Sequence, residues 1–140
     1  MALKGKIGAE IEIHSPASKF FNLFVTQLHE VQNMTDEVHQ TKLHKGDWHG
    51  GKVVDCKEHI EEIDNANKTI LYKLFDGEFG EHKYKSGVKL KLKVVEKDEG
   101  AIVKWNHMFE KVHEAITPPL EQLDSLIKAT KEVDAYLLKA

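Results

Sequence analysis

The sequence predicts an α+β fold in which a curved antiparallel sheet wraps around one long C-terminal helix. Apolar and polar residues alternate in several stretches joined by short turns, which is typical of antiparallel strands. Near the C-terminus, apolar residues recur instead at intervals of three and four, which indicates a helix. A sheet with one apolar face needs a cover, and we expect this helix to provide it.

A strand and a helix are predicted first along the chain. Residues 5–13 alternate, and their apolar face carries Ile7, Ala9, Ile11 and Ile13. Ser15 is suited to cap a helix and Pro16 to open it. Aromatic and apolar residues then follow at helical spacing: Phe20, Phe21, Phe24 and Leu28. We expect this helix to break near residues 33–37, where Asn, Thr and Asp favour a turn.

Three more strands are predicted in the middle of the chain. One covers Val38 to Leu43, immediately before the stretch "LHKGDWHGGK". The others cover Lys52 to Ile63 and Thr69 to Phe75, with the turn "DNANK" between them.

The clearest strand pattern is "YKSGVKLKLKVV", residues 84–95. One face of this strand carries Tyr84, Ser86, Val88, Leu90, Leu92 and Val94. The other face carries lysines, and it fits a solvated surface better than a nucleic-acid track, because no exposed aromatics are interleaved for base stacking. The next strand, residues 101–109, turns one side inward: Ala101, Val103, Trp105, His107 and Phe109.

The C-terminal helix is predicted to begin with Thr117 as its cap and Pro118 as its first residue. A helix of about 22 residues is roughly 33 Å long, enough to cross the face of a sheet. Its apolar side carries Leu120, Leu123, Ile127, Thr130, Val133, Leu137 and Leu138. The 140 residues fit a single domain spanning residues 1–140.

Composition and motifs exclude several function classes. A formal net charge of −3 offers no general attraction to nucleic acid or anionic membrane, and no apolar run approaches the roughly 18 residues that span a bilayer. Cys56 is the single cysteine and the N-terminus lacks a signal-peptide pattern, so we expect a cytoplasmic protein. Nine histidines show no metal-ligand spacing, and "GDWHGGK" lacks the helix that a phosphate loop needs. We therefore expect no metal site and no cofactor.

Six segments, in order over nearly the whole chain, carry a resemblance to a known family: "LKGKIGAEIEIHSPASKFFNLF", "HKGDWH", "CKEHIEEIDNANKTI", "LFDGEFGEHKYK", "GAIVKWNHMFEKVHE" and "ATKEVDAYLL". Together they resemble the plant major latex protein family, a branch of the Bet v 1 and pathogenesis-related class 10 superfamily. The resemblance implies the helix-grip fold, which is START-like, with seven antiparallel strands, two short helices in a V and a long C-terminal helix. It also implies a large cavity for hydrophobic plant metabolites such as steroids, flavonoids, cytokinin-like hormones or alkaloids, in cytosolic proteins of defence and stress responses.

The sequence departs from the family pattern after Trp48 and His49. Roughly a dozen residues, about one strand by typical lengths, are missing there, so we expect one strand fewer than seven. Removing a strand makes its former neighbours run parallel, and a tight hairpin cannot join parallel strands. The segment Val38 to Leu43 therefore reverses, detaches, or leaves an edge that another chain pairs with to form a dimer.

The leading functional hypothesis is a non-catalytic binder of a small hydrophobic ligand. The residues expected to line the cavity are Phe24, Leu28, Tyr72, Tyr84, Leu90, Leu92, Trp105, His107, Phe109, Leu123 and Ile127. Tyr72, Tyr84 and His107 would be the polar anchors. Alternation alone does not separate such a cavity from a closely packed core, in which His107 would be an ordinary hydrogen-bonded core histidine.

The alternative is an enzyme of specialised metabolism, an isomerase or condensing enzyme that uses His107 or a tyrosine for proton transfer. Ribonuclease activity has been claimed for the wider superfamily. It is disfavoured here by the acidic balance and the shortened glycine-rich loop.

Overall fold

The computed structural model describes residues 3–32 and 57–139, with side chains at 3–25 and 57–139. Within these ranges the chain forms five strands and two helices. In chain order they are β1 (Lys4–Ile13), α1 (Ala17–Gln32), β2 (Lys57–Asp64), β3 (Thr69–Phe75), β4 (Tyr84–Glu96), β5 (Ala101–Lys111) and α2 (Leu120–Lys139). The predicted α+β class, with a sheet and a long C-terminal helix, is confirmed.

All the described strands pair antiparallel in one sheet, in the order β1-β5-β4-β3-β2. The strands from β2 to β5 follow one another as hairpins, and β1 joins the sheet beside β5. The predicted strand Val38 to Leu43 and the shortening after His49 lie outside the described residues. A second short helix, which the resemblance implies, is not found in residues 3–32 or 57–139.

The alternating patterns correctly predict which face of the sheet is buried. In β1, Ile11 and Ile13 are buried, and β5 turns Val103, Trp105 and His107 inward. The lysines of β4 lie on the opposite face, where Lys89 pairs with Glu61 of β2. The inner face meets α2 mainly at β1 and β5, and it meets α1 at β4.

A bulge in β4 interrupts the predicted alternation. Tyr84 pairs with Lys111 and Val88 with Phe109, so β4 contains two more residues than β5 over this interval. Within the bulge Ser86 adopts φ of 57° and is exposed. The prediction that Ser86 faces inward is therefore wrong, because alternation holds only where the two strands advance residue for residue.

The helix α2 begins at Leu120, two residues later than predicted, after the pair Pro118 and Pro119. Leu123 and Val133 are buried as expected, whereas Leu120 is 50% exposed and Leu138 is 54% exposed. The prediction that these two leucines face inward is wrong. Helical spacing identifies the buried face of the middle turns, but it does not fix how far along the helix that face is covered.

None of the helices that the structure describes has the length and apolar character required to cross a bilayer.

Candidate functional site

The inner face of the sheet carries a row of residues that contains two of the predicted polar anchors. Backbone pairing aligns Ile7 with His107, His107 with Leu90, Leu90 with Tyr72, and Tyr72 with Ile60. This central row crosses all five described strands. Because neighbouring strands lie about 4.8 Å apart, the backbones of His107 and Tyr72 are separated by roughly 10 Å along it.

The two rows beside the central row are almost wholly apolar. One consists of Ala9, Trp105, Leu92, Ile70 and Ile63, and the other of Gly5, Phe109, Val88, Leu74 and Glu58. Most of these side chains are buried. The polar groups of His107 and Tyr72 therefore lie within an extended apolar surface.

The side chain of His107 is completely buried, and its ring makes one hydrogen bond to the described residues. Its Nε2 lies 2.6 Å from Oε1 of Gln122 on α2, and Gln122 is also buried. With this orientation of the Gln122 amide its oxygen accepts, and the imidazole proton then lies on Nε2. The other ring nitrogen, Nδ1, is buried and has no hydrogen-bond partner among the described residues.

The surroundings of His107 keep its ring uncharged. Burial lowers the pKa of the imidazole to about 4, although the hydrogen bond to Gln122 opposes this shift. At neutral pH the ring therefore carries one proton, on Nε2, and Nδ1 presents a lone pair. The site offers a buried hydrogen-bond acceptor and no positive charge at this position.

The two tyrosines predicted as anchors differ in what their hydroxyl groups do. Burial raises the pKa of the Tyr72 phenol, and the charge of Glu58 raises it further, so Tyr72 stays protonated. Burial also raises the pKa of Tyr84, but its hydroxyl donates to the carbonyl of Thr117 at 2.6 Å. The Tyr84 proton is thus used within the protein, where it holds the segment that leads into α2.

Trp105 forms a fixed part of the apolar wall. Its Nε1–H donates to Oγ1 of Thr130 at 2.8 Å, and Thr130 donates in turn to the carbonyl of Leu126 at 2.7 Å. The ring of Phe24 packs edge-on against the indole, with a centroid distance of 5.9 Å. Trp105 therefore joins the sheet to both helices.

The other predicted wall residues are placed as follows. Four are buried, namely Leu90, Leu92, Phe109 and Leu123. Phe24 and Ile127 are partly buried and pack against the core. Leu28 belongs to α1, but its side chain lies outside the described side chains.

Sequence reasoning missed Gln122, the partner of His107. Its position carried a usable signal, because Gln122 lies four residues before Leu126 and seven before Ala129 and so shares their side of α2. The residue type concealed that signal, because glutamine is mostly found at the protein surface and is not expected in a core.

A second missed contact fixes the far end of α2. The Asp134 carboxylate accepts hydrogen bonds from the backbone N–H of Ser15 at 2.9 Å, from that of His14 at 3.1 Å, and from the Ser15 hydroxyl at 2.5 Å. We call this group of contacts the Asp134 anchor. It ties the helix to the junction between β1 and α1.

A surface groove of about 340 Å³ lies beside the start of α2. Its walls include Phe79, Tyr84, Pro118, Pro119 and Leu120, and Gln122 also lines it. An ion pair between Lys83 and Glu78, 3.3 Å long, lies at the same groove. Because Gln122 both lines the groove and bonds His107, a single side chain links the outside of the molecule to the buried imidazole.

No group of three or more residues able to hold a metal ion occurs in the parts of the chain for which the structure gives positions.

Comparison with known proteins identifies the family. The model of the pathogenesis-related protein Bet v 1 family matches residues 2–140. MLP-like protein 43 of Arabidopsis thaliana is 31% identical over 151 aligned positions, which cover 98% of this chain and 95% of the relative. The aligned part of this chain has about 137 residues, so about 14 positions have no counterpart here. This difference is similar in size to the roughly dozen residues that the family resemblance predicts to be absent after His49.

Solved structures agree with this result. The crystal structure of ginseng major latex-like protein 151 from Panax ginseng is 27% identical, with a TM-score of 0.74, and the match covers 98% of this chain and 99% of the ginseng protein. Norcoclaurine synthase from Thalictrum flavum, solved with dopamine and hydroxybenzaldehyde, shares the fold at 12% identity and a TM-score of 0.69, over 97% of this chain and 87% of the synthase. The chain belongs to the pathogenesis-related protein Bet v 1 family, in its major latex protein branch.

Proposed function

We propose that this protein binds a small hydrophobic molecule between the inner face of its sheet and α2. The observation that carries the proposal is Nδ1 of His107, a buried acceptor without a partner among the described residues, on a face that is largely apolar. A buried polar atom left without a hydrogen bond costs about 1–3 kcal/mol. A ligand that donates to Nδ1 would recover part of that free energy on binding.

Apolar contact supplies the main driving force in this proposal. Burial of ligand surface contributes about 25 cal/mol per Å² before the entropic cost of binding. In this proposal the set predicted from the sequence forms the wall, and it is supported by the register that puts Trp105 and Leu92 on one side of the central row and Phe109 on the other. Within this proposal the protein acts in the cytoplasm as a carrier, store or signalling sink during defence or stress.

We place the route of entry at the groove beside the start of α2. The half-exposed Leu120 and the two prolines give this groove an apolar wall, and Gln122 connects it to His107. A molecule entering here would reach the central row by displacing one side chain.

Native mass spectrometry of the protein purified from its own tissue tests the proposal. A copurified molecule of low mass, together with a fluorescence change when apolar probes are added, is the expected result. Repeated absence of both would overturn it. The same spectra would report a dimer, which is one of the three outcomes that the shortened sequence leaves open.

A matched pair of variants locates the binding site. Leu90 lies between His107 and Tyr72 on the inner face, whereas Lys91 points to the outer face. Leu90→Trp should abolish probe binding by filling the interior, and Lys91→Trp should leave binding unchanged, with circular dichroism checking that both variants fold. Equal binding by both variants would contradict an interior site.

An enzyme of specialised metabolism, an isomerase or condensing enzyme, is the second candidate for the same cavity. It is favoured by the placement of His107 and Tyr72 in one row of the sheet. It ranks second because a histidine whose pKa is about 4 is a weak base at neutral pH. Loss of turnover in His107→Ala with ligand binding retained would support the enzyme, whereas no turnover in either form supports the carrier.

A further inference from the structure

We infer that the interior selects ligands that donate a hydrogen bond, such as phenols, alcohols and N–H compounds, and that Gln122 sets this selectivity by fixing the tautomer of His107. The inference rests on the proposed function and names the ligand class of the same site. It treats Gln122 as a positioning residue, which acts on the ligand through the imidazole.

The hydrogen bond between His107 and Gln122 has a definite direction. Oε1 of Gln122 lies 2.6 Å from Nε2 of His107, and both side chains are buried. The amide oxygen accepts, so Nε2 donates and Nδ1 has no proton. With the opposite amide orientation the NH₂ group would face Nε2, and Nδ1 would then carry the proton and donate.

The site around His107 carries no positive charge in its described part. The imidazole stays neutral, so it offers Nδ1 as an acceptor and does not attract an anion. The central row and its two neighbours, as the structure describes them, contain no lysine. A ligand carboxylate would bring both an acceptor and an uncompensated charge into this surface, which is unfavourable.

The preference for a donor ligand over its methylated analogue should be large. A site whose buried polar atom needs a partner rejects an analogue that lacks the matching group much more strongly than an apolar pocket rejects a change of shape. We therefore expect about a tenfold or greater difference in Kd between a donor ligand and its methylated analogue.

The experiment uses 2-naphthol and its methyl ether, 2-methoxynaphthalene, in which a methyl group replaces the hydroxyl proton. In isothermal titration calorimetry, the wild-type protein should bind 2-naphthol with a Kd at least about tenfold lower than that of 2-methoxynaphthalene. His107→Leu should bind the two probes alike. Gln122→Leu should reduce the preference, while Asp124→Leu, at an exposed position of the same helix, should keep it.

A measurement on the unliganded wild-type protein tests the tautomer without any variant. Long-range proton–nitrogen correlation spectra should show a protonated Nε2 and an unprotonated Nδ1 for His107 at neutral pH. A protonated Nδ1, or a preference for the methyl ether, would overturn the inference.

The outcomes also separate the inference from the proposed function. Equal binding of the two probes by the wild type overturns the selectivity and leaves interior binding in place. If the wild type binds neither probe, the result counts against the selectivity and against the proposed interior binding. A preference that survives His107→Leu and disappears in Tyr72→Phe would assign the selectivity to Tyr72 and overturn the role of Gln122.

Discussion

The two ends of α2 are attached to the rest of the molecule in opposite ways. Near the C-terminal end, a charged carboxylate, Asp134, is satisfied by backbone and hydroxyl donors from His14 and Ser15. Near the N-terminal end, the neutral side chains Gln122 and His107 share one hydrogen bond, and Nδ1 of His107 has no partner in the described part of the chain. At the C-terminal end a paired carboxylate holds the helix in place, whereas at the N-terminal end one buried ring nitrogen has no partner among the described residues.

The energetics of the two contacts explain this division. Hydrogen bonds to a charged group contribute about 1.5–3 kcal/mol, whereas a neutral pair contributes about 1 kcal/mol. Removing one partner of a buried contact also leaves its other groups unsatisfied. Substitutions should therefore become less damaging from the Asp134 anchor towards Gln122.

The largest effect is expected for Asp134→Ala. The change leaves the Ser15 hydroxyl and two backbone N–H groups without their acceptor, so the free energy of unfolding should fall by about 3 kcal/mol. Urea denaturation measures the loss, with the exposed Asp124→Ala as the control. A fall no larger than that of the control would show that the anchor does not hold the helix.

The same anchor should weaken in acid. Burial alone raises the pKa of Asp134, but hydrogen bonds from Ser15 and His14 outweigh it, and the pKa lies below its ordinary value of 3.8. A lowered carboxyl pKa stabilises the fold above the unfolded-state value, and this contribution is lost as the pH falls through the folded-state value. The stability difference between wild type and Asp134→Asn should thus stay constant from neutral pH down to about pH 4 and shrink below it, in urea titrations at several pH values. A difference that stays constant there as well would contradict this linkage.

Next in size is Gly100→Ala, which tests the junction that the anchor holds. Gly100 has φ of 89°, and a Cβ there would lie 2.1 Å from the carbonyl oxygen of Ile13. The strain and the clash should cost about 2 kcal/mol or more in urea unfolding. Glu99→Ala, at the exposed neighbouring residue, is the control. Equal stability of the two variants would mean that the backbone at this junction shifts to accommodate a Cβ at little cost in free energy.

A smaller loss is expected in the middle of the helix. Thr130→Val removes the acceptor of the Trp105 indole N–H and should cost about 1–2 kcal/mol. Thr130→Ser keeps a hydroxyl at this position and should recover most of that loss. If serine and valine destabilise the protein equally in urea unfolding, the hydrogen bond contributes little.

The smallest effect is expected at the N-terminal end. Replacing both His107 and Gln122 with leucine removes the pair and its unsatisfied Nδ1 together, which is often nearly neutral or stabilising. Thermal and urea unfolding should place this double variant within about 1 kcal/mol of wild type, or above it. A loss as large as that of Asp134→Ala would reverse the comparison between the two ends.

Much of the fold could be predicted from the sequence, because the strands bury one face and their apolar and polar residues therefore alternate. The pattern around Trp105 and His107 predicted their burial correctly, since strand alternation is a local property. Ser86 was misjudged because a bulge depends on the number of residues in the partner strand. Local patterns also omit Gln122 and Asp134, whose partners lie 15 and 119 residues away along the chain.

The candidate site was predictable only in part. Sequence placed His107 and Tyr72 on the inner face, but their alignment in one row depends on the registers of β3, β4 and β5. The free nitrogen of His107 depends on the side chain of Gln122, which no strand pattern reports. Side-chain partners across the fold therefore decide the chemistry, while the apolar periodicity decides the architecture.

The Asp134 anchor also bears on how the sequence of this protein can change over time. Two of the three groups that donate to the Asp134 carboxylate are backbone amides, which every residue except proline supplies. Position 14 can therefore accept many side chains without loss of its donor. The contact between Gln122 and His107 depends on two side chains, and a single substitution at either one removes it. At the C-terminal end, the donor positions tolerate substitution although Asp134 itself does not, whereas at the N-terminal end a substitution on either side removes the contact.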